Sequence, residues 1–243
     1  MTFDLISSFA VYYGFGREKE LSQYGLAIID PAGHDKSAVD NLKKSSTLAV
    51  AYLSFLELSP ENKALPMMSE KDFLYQNGQP LKNIEYNNLL ADFCSDKWQK
   101  ILFERISELY LGFGYDGIFI DTLADIEYFD MSELMRSEQL SAVIAFLRRV
   151  RARFPELILL QNNGTEFIYN YTAELIDGIC IENPPSFDKS QVEKLCYLKD
   201  GLKLKVLLLT DGTYPLLSRQ AVKCAAEKHG FLYYHSPEGY LSL

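Results

Sequence analysis

The feature that most constrains this chain is a rhythm. Eight short, nearly unbroken apolar runs recur along 243 residues, at 9–13, 26–29, 48–53, 117–120, 157–160, 178–181, 204–209 and 231–234. Runs that do not alternate polar with apolar residues fit strands buried on both faces, as in a parallel sheet. Helical patterns lie between them. Residues 97–111 place Ile101, Leu102, Ile106 and Leu109 on one side, with Ser95 or Asp96 as N-cap. Residues 132–154 set Leu134, Leu140, Val143, Ile144 and Leu147 against Arg148, Arg149 and Arg151. Residues 186–198 and 218–228 read as further helices, and 164–175 as a less regular one. Eight such alternations predict an α/β fold, a (β/α)8 TIM barrel, as a single domain over residues 1–243. A doubly wound open sheet is the alternative, because periodicity does not distinguish a closed sheet from an open one. Residues 57–96 form a long insertion between strand 3 and helix 3, with Pro60, Pro66, Gly78 and Pro80. Its Phe73, Tyr75 and Tyr86 predict an ordered flap.

Composition removes several function classes. A formal net charge of −9 opposes a nucleic-acid partner, which needs a basic face, and permits a cationic one. Cys94, Cys180, Cys196 and Cys224 are scattered with no CxxC, so neither a disulfide framework nor a zinc ribbon is expected. Only three histidines occur, without metal-ligand spacing. No run of 18 apolar residues predicts a membrane span, and no signal peptide is visible. Residues 112–117 match GxGxxG but precede a strand instead of following one, so the dinucleotide reading fails its context. Neither a cofactor nor a metal is expected, and the oligomeric state stays open.

In a barrel of this kind the active site lies at the C-terminal strand ends. Those ends read Tyr12-Tyr13, Asp30, Tyr52-Leu53-Ser54 with Glu57 beyond, Asp121, Asn162, Glu182, Asp211 and His235. Asp30 and Asp211 also suit plain capping of the next turn. That reading fits Asp121 and Glu182 less well, since each directly follows a buried run where an unused charge is costly. Carboxylates gathered at one mouth raise one another's pKa, and a pair is the minimum equipment for glycoside hydrolysis. Tyrosines and amides around them would bind sugar hydroxyls and ring faces.

Several strings carry a family resemblance. Val50-Ala51-Tyr52-Leu53-Ser54 with Glu57 is similar to AYLSxGE, with Leu56 in place of the glycine. Residues 114–123, GYDGIFIDTL, resemble GFDGvFLDtl, and Trp98 and Asp92 also match. Asn162-Asn163-Gly164 resembles NnG, and residues 177–182, DGICIE, resemble DGvvvE. These strings, in this order, resemble glycoside hydrolase family 114, the endo-α-1,4-polygalactosaminidase group. The resemblance implies an endo-acting barrel that cleaves α-1,4 bonds in galactosamine- or N-acetylgalactosamine-rich polysaccharide, with Asp121 and Glu182 as the catalytic pair. It further implies a secreted or envelope-associated setting, in exopolysaccharide and biofilm. The family often has a further Asp three residues after the strand-4 Asp, where this chain has Ala124 and then Asp125.

The expected substrate-binding residues are Tyr13, Asp30, Tyr52, Ser54, Glu57, Asn162 and Asp211. The expected partner is a polysaccharide, and the acidic balance suits a cationic amino-sugar polymer. A non-catalytic polysaccharide-binding barrel is the first rival reading, and a metal-dependent lyase or aldolase barrel the second.

Overall fold

The structure is a computed structural model that describes residues 2–184 and 187–243. Eight parallel strands follow the chain in order: β1 (Phe9–Tyr12), β2 (Leu26–Ile29), β3 (Leu48–Ser54), β4 (Gly117–Asp121), β5 (Ile158–Asn162), β6 (Gly178–Glu182), β7 (Lys205–Asp211) and β8 (Leu232–Ser236). A doubly wound sheet reverses its strand order at a switch point. Here the order never reverses. The two end strands come together, with the Phe9 and Tyr234 rings 5.8 Å apart. The sheet is thus a nearly closed (β/α)8 barrel, not an open one. Its strand residues bury toward both the lumen and the helices, which is why each run is apolar throughout.

Two strands share one device. Gly117 and Gly178 open β4 and β6, and a Cβ on either would come within 2.7 Å of a neighbouring strand's carbonyl. Each glycine follows an aspartate at the barrel bottom. Asp116 accepts from the Ala49 amide at 3.0 Å and pairs with Lys43; Asp177 accepts from the Leu159 amide at 2.8 Å and pairs with Arg151. The bottom acids therefore tie neighbouring strands in register, while the acids at the other ends of the same strands remain for the mouth.

The helices mostly lie where periodicity puts them. α1 (Glu18–Leu21) and α2 (Lys36–Lys44) cover the first strands. α3 (Asp96–Ser107) has Ser95 as N-cap, accepting from the Trp98 amide. It continues as a π-helical stretch (Glu108–Phe113) that ends at Gly114 in left-handed conformation. After the short α4 (Asp125–Tyr128), α5 (Glu133–Arg153) is capped by Ser132. The 164–175 segment condenses to α6 (Tyr169–Thr172). α7 (Lys189–Cys196) begins after the expected position, with Asp188 accepting from the Gln191 amide; the expected start at Ser186 lies outside the described residues. α8 (Leu216–His229) completes the ring.

The 57–96 insertion is ordered. Glu57–Leu58, Asn88–Leu90 and Lys82–Asn83 form a small antiparallel sheet, and Tyr75–Gln76 pairs with Gln79–Pro80. Asn77 and Gly78 both have positive φ, the two-residue turn that suits a right-twisted hairpin. Trp98 Nε1 donates to the Phe55 carbonyl at 2.8 Å, fastening the base of the insertion to α3. No helix among the described residues is long and apolar enough to cross a membrane.

Candidate active site

Asp121 and Glu182 end β4 and β6, on either side of β5. Asn162, the last residue of β5, joins them. Its Nδ2 donates to Asp121 Oδ1 at 2.8 Å and to Glu182 Oε2 at 3.0 Å. The remaining carboxylate oxygens take tyrosine hydroxyls. Tyr52 donates to Asp121 Oδ2 at 2.8 Å, and Tyr240 donates to Glu182 Oε1. Tyr13 stands between those two tyrosines, with ring centroids 4.9 Å from Tyr52 and 5.4 Å from Tyr240. Burial beside the carboxylates pushes all three phenols up, so they remain hydrogen-bond donors at neutral pH. Burial likewise raises the Glu182 pKa. Hydrogen bonds from Tyr240 and Asn162 oppose the rise, and the nearby Asp121 and Asp211 charges add to it.

The strand ends leave the barrel through unusual backbone. Thr122, Asn163 and Asn183, each one residue past its strand, have φ of 65°, 53° and 43°. For β-branched Thr122 this conformation is strained, costing on the order of 1–3 kcal/mol. Its hydroxyl offsets the strain by accepting from the backbone amides of Phe55, Leu56 and Glu57. Asn163 accepts from the Glu182 amide, and Asn183 exchanges two hydrogen bonds with Asp211. These turns fix the direction in which the acids project.

The cleft above the pair has a volume of about 440 Å³. Tyr13, Tyr52, Ser54, Glu57, Asp121 and Glu182 line it, as do Tyr86, Asn83, Asn88 and Tyr240. A larger outer hollow of about 600 Å³, between the insertion and α5, contains neither Asp121 nor Glu182. The structure therefore brings together six of the nine expected residues in the cleft, and Asn162 supports the pair from β5. Asp30 and Asp211 stand apart from the lining. Asp30 Oδ1 accepts from the Ala32 amide at 2.8 Å, and Asp211 Oδ1 accepts from the Thr213 amide and hydroxyl. Both carboxylates thus cap the following turn. Burial pushes the Asp211 carboxyl up, but hydrogen bonds from Thr213 and Asn183 outweigh it and hold it low.

Two departures from the family strings have a physical reading. Leu56 is fully buried in the core and is not part of the cleft lining. Asp125 sits in the first turn of α4 near Glu57, and burial and that neighbour push its pKa up to about 9. Tyr240 and the flap residues Asn83 and Asn88 were not anticipated. Tyr240 follows the last strand in positive-φ conformation, its carbonyl accepting from the Tyr13 amide at 2.7 Å. Among the described residues no group of three or more His, Cys, Asp or Glu is arranged to hold a metal ion.

The sequence pattern of glycoside-hydrolase family GH114 matches residues 7–206, from the approach to β1 into β7, including both carboxylates. The chain belongs to glycoside-hydrolase family GH114. It is a glycoside hydrolase. Solved structures share its fold. The glycoside hydrolase domain of PelA from Pseudomonas aeruginosa has a TM-score of 0.79 at 21% identity, covering 98% of this chain and 97% of that one. Aspergillus fumigatus Ega3, solved in complex with galactosamine, has a TM-score of 0.74 at 13% identity, covering 97% of this chain and 91% of that one. The galactosidase domain of the α-galactosidase–sucrose kinase AgaSK has a TM-score of 0.68 at 12% identity, covering 95% of this chain and 37% of that one. No curated protein matches this GH114 chain by sequence.

Proposed function

We propose that this GH114 hydrolase is an endo-enzyme that cleaves α-1,4 bonds in a galactosamine- or N-acetylgalactosamine-rich exopolysaccharide. Asp121 and Glu182 are the reacting pair. The observation that carries the reading is the single Asn162 amide that bridges the two carboxylates at the floor of the cleft. The bridged oxygens can be at most about 5.8 Å apart, the two bonds laid end to end. That limit suits the roughly 5–5.5 Å of retaining glycosidases better than the roughly 6.5–9.5 Å of inverting ones.

In this mechanism Glu182 is the general acid, because burial favours its protonated form. It protonates the leaving glycosidic oxygen as Asp121 attacks the anomeric carbon. Deprotonated Glu182 then takes a proton from the water that cleaves the glycosyl–Asp121 ester. Tyr52 and Asn162 hold Asp121 in orientation through one oxygen each. Tyr13, Tyr52 and Ser54 contact the sugar, while Asp30 and Asp211 shape the rim at a distance. The galactosamine bound to the similarly folded Ega3 supports the choice of sugar, as does the net charge of −9. Incubation with galactosamine polymers of defined acetylation, followed by mass spectrometry, tests the reading. Internal cleavage into oligomers is expected, and intact polymer would leave a binding barrel as the better description.

A further inference from the structure

Glu57 lines the cleft, yet both of its carboxylate oxygens already accept from side chains. Oε1 accepts from Asn83 Nδ2 and Oε2 from Asn88 Nδ2, both at 2.7 Å. Asn83 and Asn88 face each other across the two strands of one hairpin. Glu57 is itself in the adjacent strand, paired opposite Leu90. At 6% exposure its charge is tolerable only because it is so fully hydrogen-bonded. The turn of that hairpin, residues 84–87, carries Tyr86, whose side chain is 63% exposed and lines the cleft with Asp121 and Glu182.

A third group completes the cluster. Asp125 lies against Glu57, and its Oδ2 is buried with no hydrogen-bond partner among the described residues. Two neighbouring carboxyl groups out of water do not both ionise readily. Burial and the neighbouring Glu57 push the Asp125 pKa up, which favours its protonated form. Asp125 is four residues past Asp121, so the cluster runs from the flap to the catalytic strand β4.

We propose that Glu57 is a positioning residue: it clasps the 82–90 hairpin to the barrel so that Tyr86 forms an aromatic wall of the sugar cleft, and it does not touch the substrate. Only the kinetic arm of the test rests on Asp121 and Glu182 being the reacting pair. An exposed phenol ring at the edge of a polar cleft offers an apolar face to a pyranose ring, and its position is set by the two asparagines.

Amide hydrogen exchange on the free enzyme tests the clasp without any substrate. In Glu57→Gln, and separately in Asn83→Ala/Asn88→Ala, exchange across residues 82–90 should rise about tenfold or more, with the barrel strands unchanged. In the kinetic arm, the double asparagine variant should raise KM for galactosamine polymer as much as Tyr86→Ala does. Its kcat should stay within about threefold of the parent. Tyr86→Trp should keep the parent KM. Adding Tyr86→Ala to the double variant should raise KM no further, since both changes remove one wall. Unchanged exchange in residues 82–90, or additive KM effects, would overturn the clasp. Lack of turnover of any galactosamine polymer by the parent would instead sink the substrate reading, and the exchange arm would still decide the role of Glu57.

Discussion

Tyr240, four residues past the last strand, donates its hydroxyl to Glu182 across 58 positions of sequence. The tail is held for this task. The Tyr240 amide donates to Ser236 Oγ, and its carbonyl accepts from the Tyr13 amide. The hydrogen bond favours the ionised form of Glu182 and so works against the effect of burial. Removing it in Tyr240→Phe should let the Glu182 pKa rise further. The alkaline limb of kcat/KM, which reports loss of the acid's proton, should then move to higher pH. A pH–rate profile checks this, and a limb that stays put would detach Tyr240 from the proton transfer.

Asp121→Asn and Glu182→Gln should each remove turnover without unfolding the protein. Acid/base catalysis alone contributes about 10²–10⁴-fold, and loss of a nucleophile should cost at least as much. Both changes preserve shape, and the Asn162 amide still finds a carbonyl oxygen in either variant. Product release measured beside a thermal melt separates the two effects. Near-parent activity in either variant would mean that another group carries the reaction.

Asp125 makes stability depend on pH in a stated direction. Its pKa is raised from 3.8 to about 9 by burial, by Glu57 and by the Asp121 charge. Between those values the unfolded chain has released the proton that the folded chain keeps. This group's contribution is therefore present in full below about pH 4 and is lost as pH rises toward about 9. Asp125→Asn preserves the shape of the side chain and cannot ionise. The variant should melt at a higher temperature than the parent at pH 8, with the gap closing toward pH 4. Parallel melting curves across that range would count against the buried proton.

Salt should reveal the charge of the substrate. With a net charge of −9 and acids at the mouth, binding of a protonated amino-sugar polymer should have a Coulombic part. The Debye length shrinks from about 30 Å at 0.01 M salt to about 10 Å at 0.1 M. Affinity for deacetylated polymer should fall over that range, while affinity for fully acetylated polymer should change little. Equal, flat responses would point to an uncharged N-acetylated substrate held by the tyrosines.

What the chain determines by itself is what depends on neighbours along it. Burial on both faces makes each strand an apolar run, so the eight strands and the acids that terminate them are readable in order. The Ser95 and Ser132 caps are equally local, as are the turn caps made by Asp30 Oδ1 and Asp211 Oδ1, which accept from amides two residues ahead. The repeated Asp-Gly openings of β4 and β6 could be seen, but not that each aspartate ties the preceding strand. Only the tertiary structure decided closure, since the same runs could pair in an open sheet. It also decided which polar residues of the mouth serve which purpose. Asn83 and Asn88 reach Glu57 from a hairpin more than 20 residues away, and Tyr240 reaches Glu182 from beyond the last strand. Asn and Tyr in loops are too common to carry a signal of their own. Their partners exist only once the barrel has brought distant strand ends to one rim, and the chemistry of Glu182 depends on the burial that this closure creates.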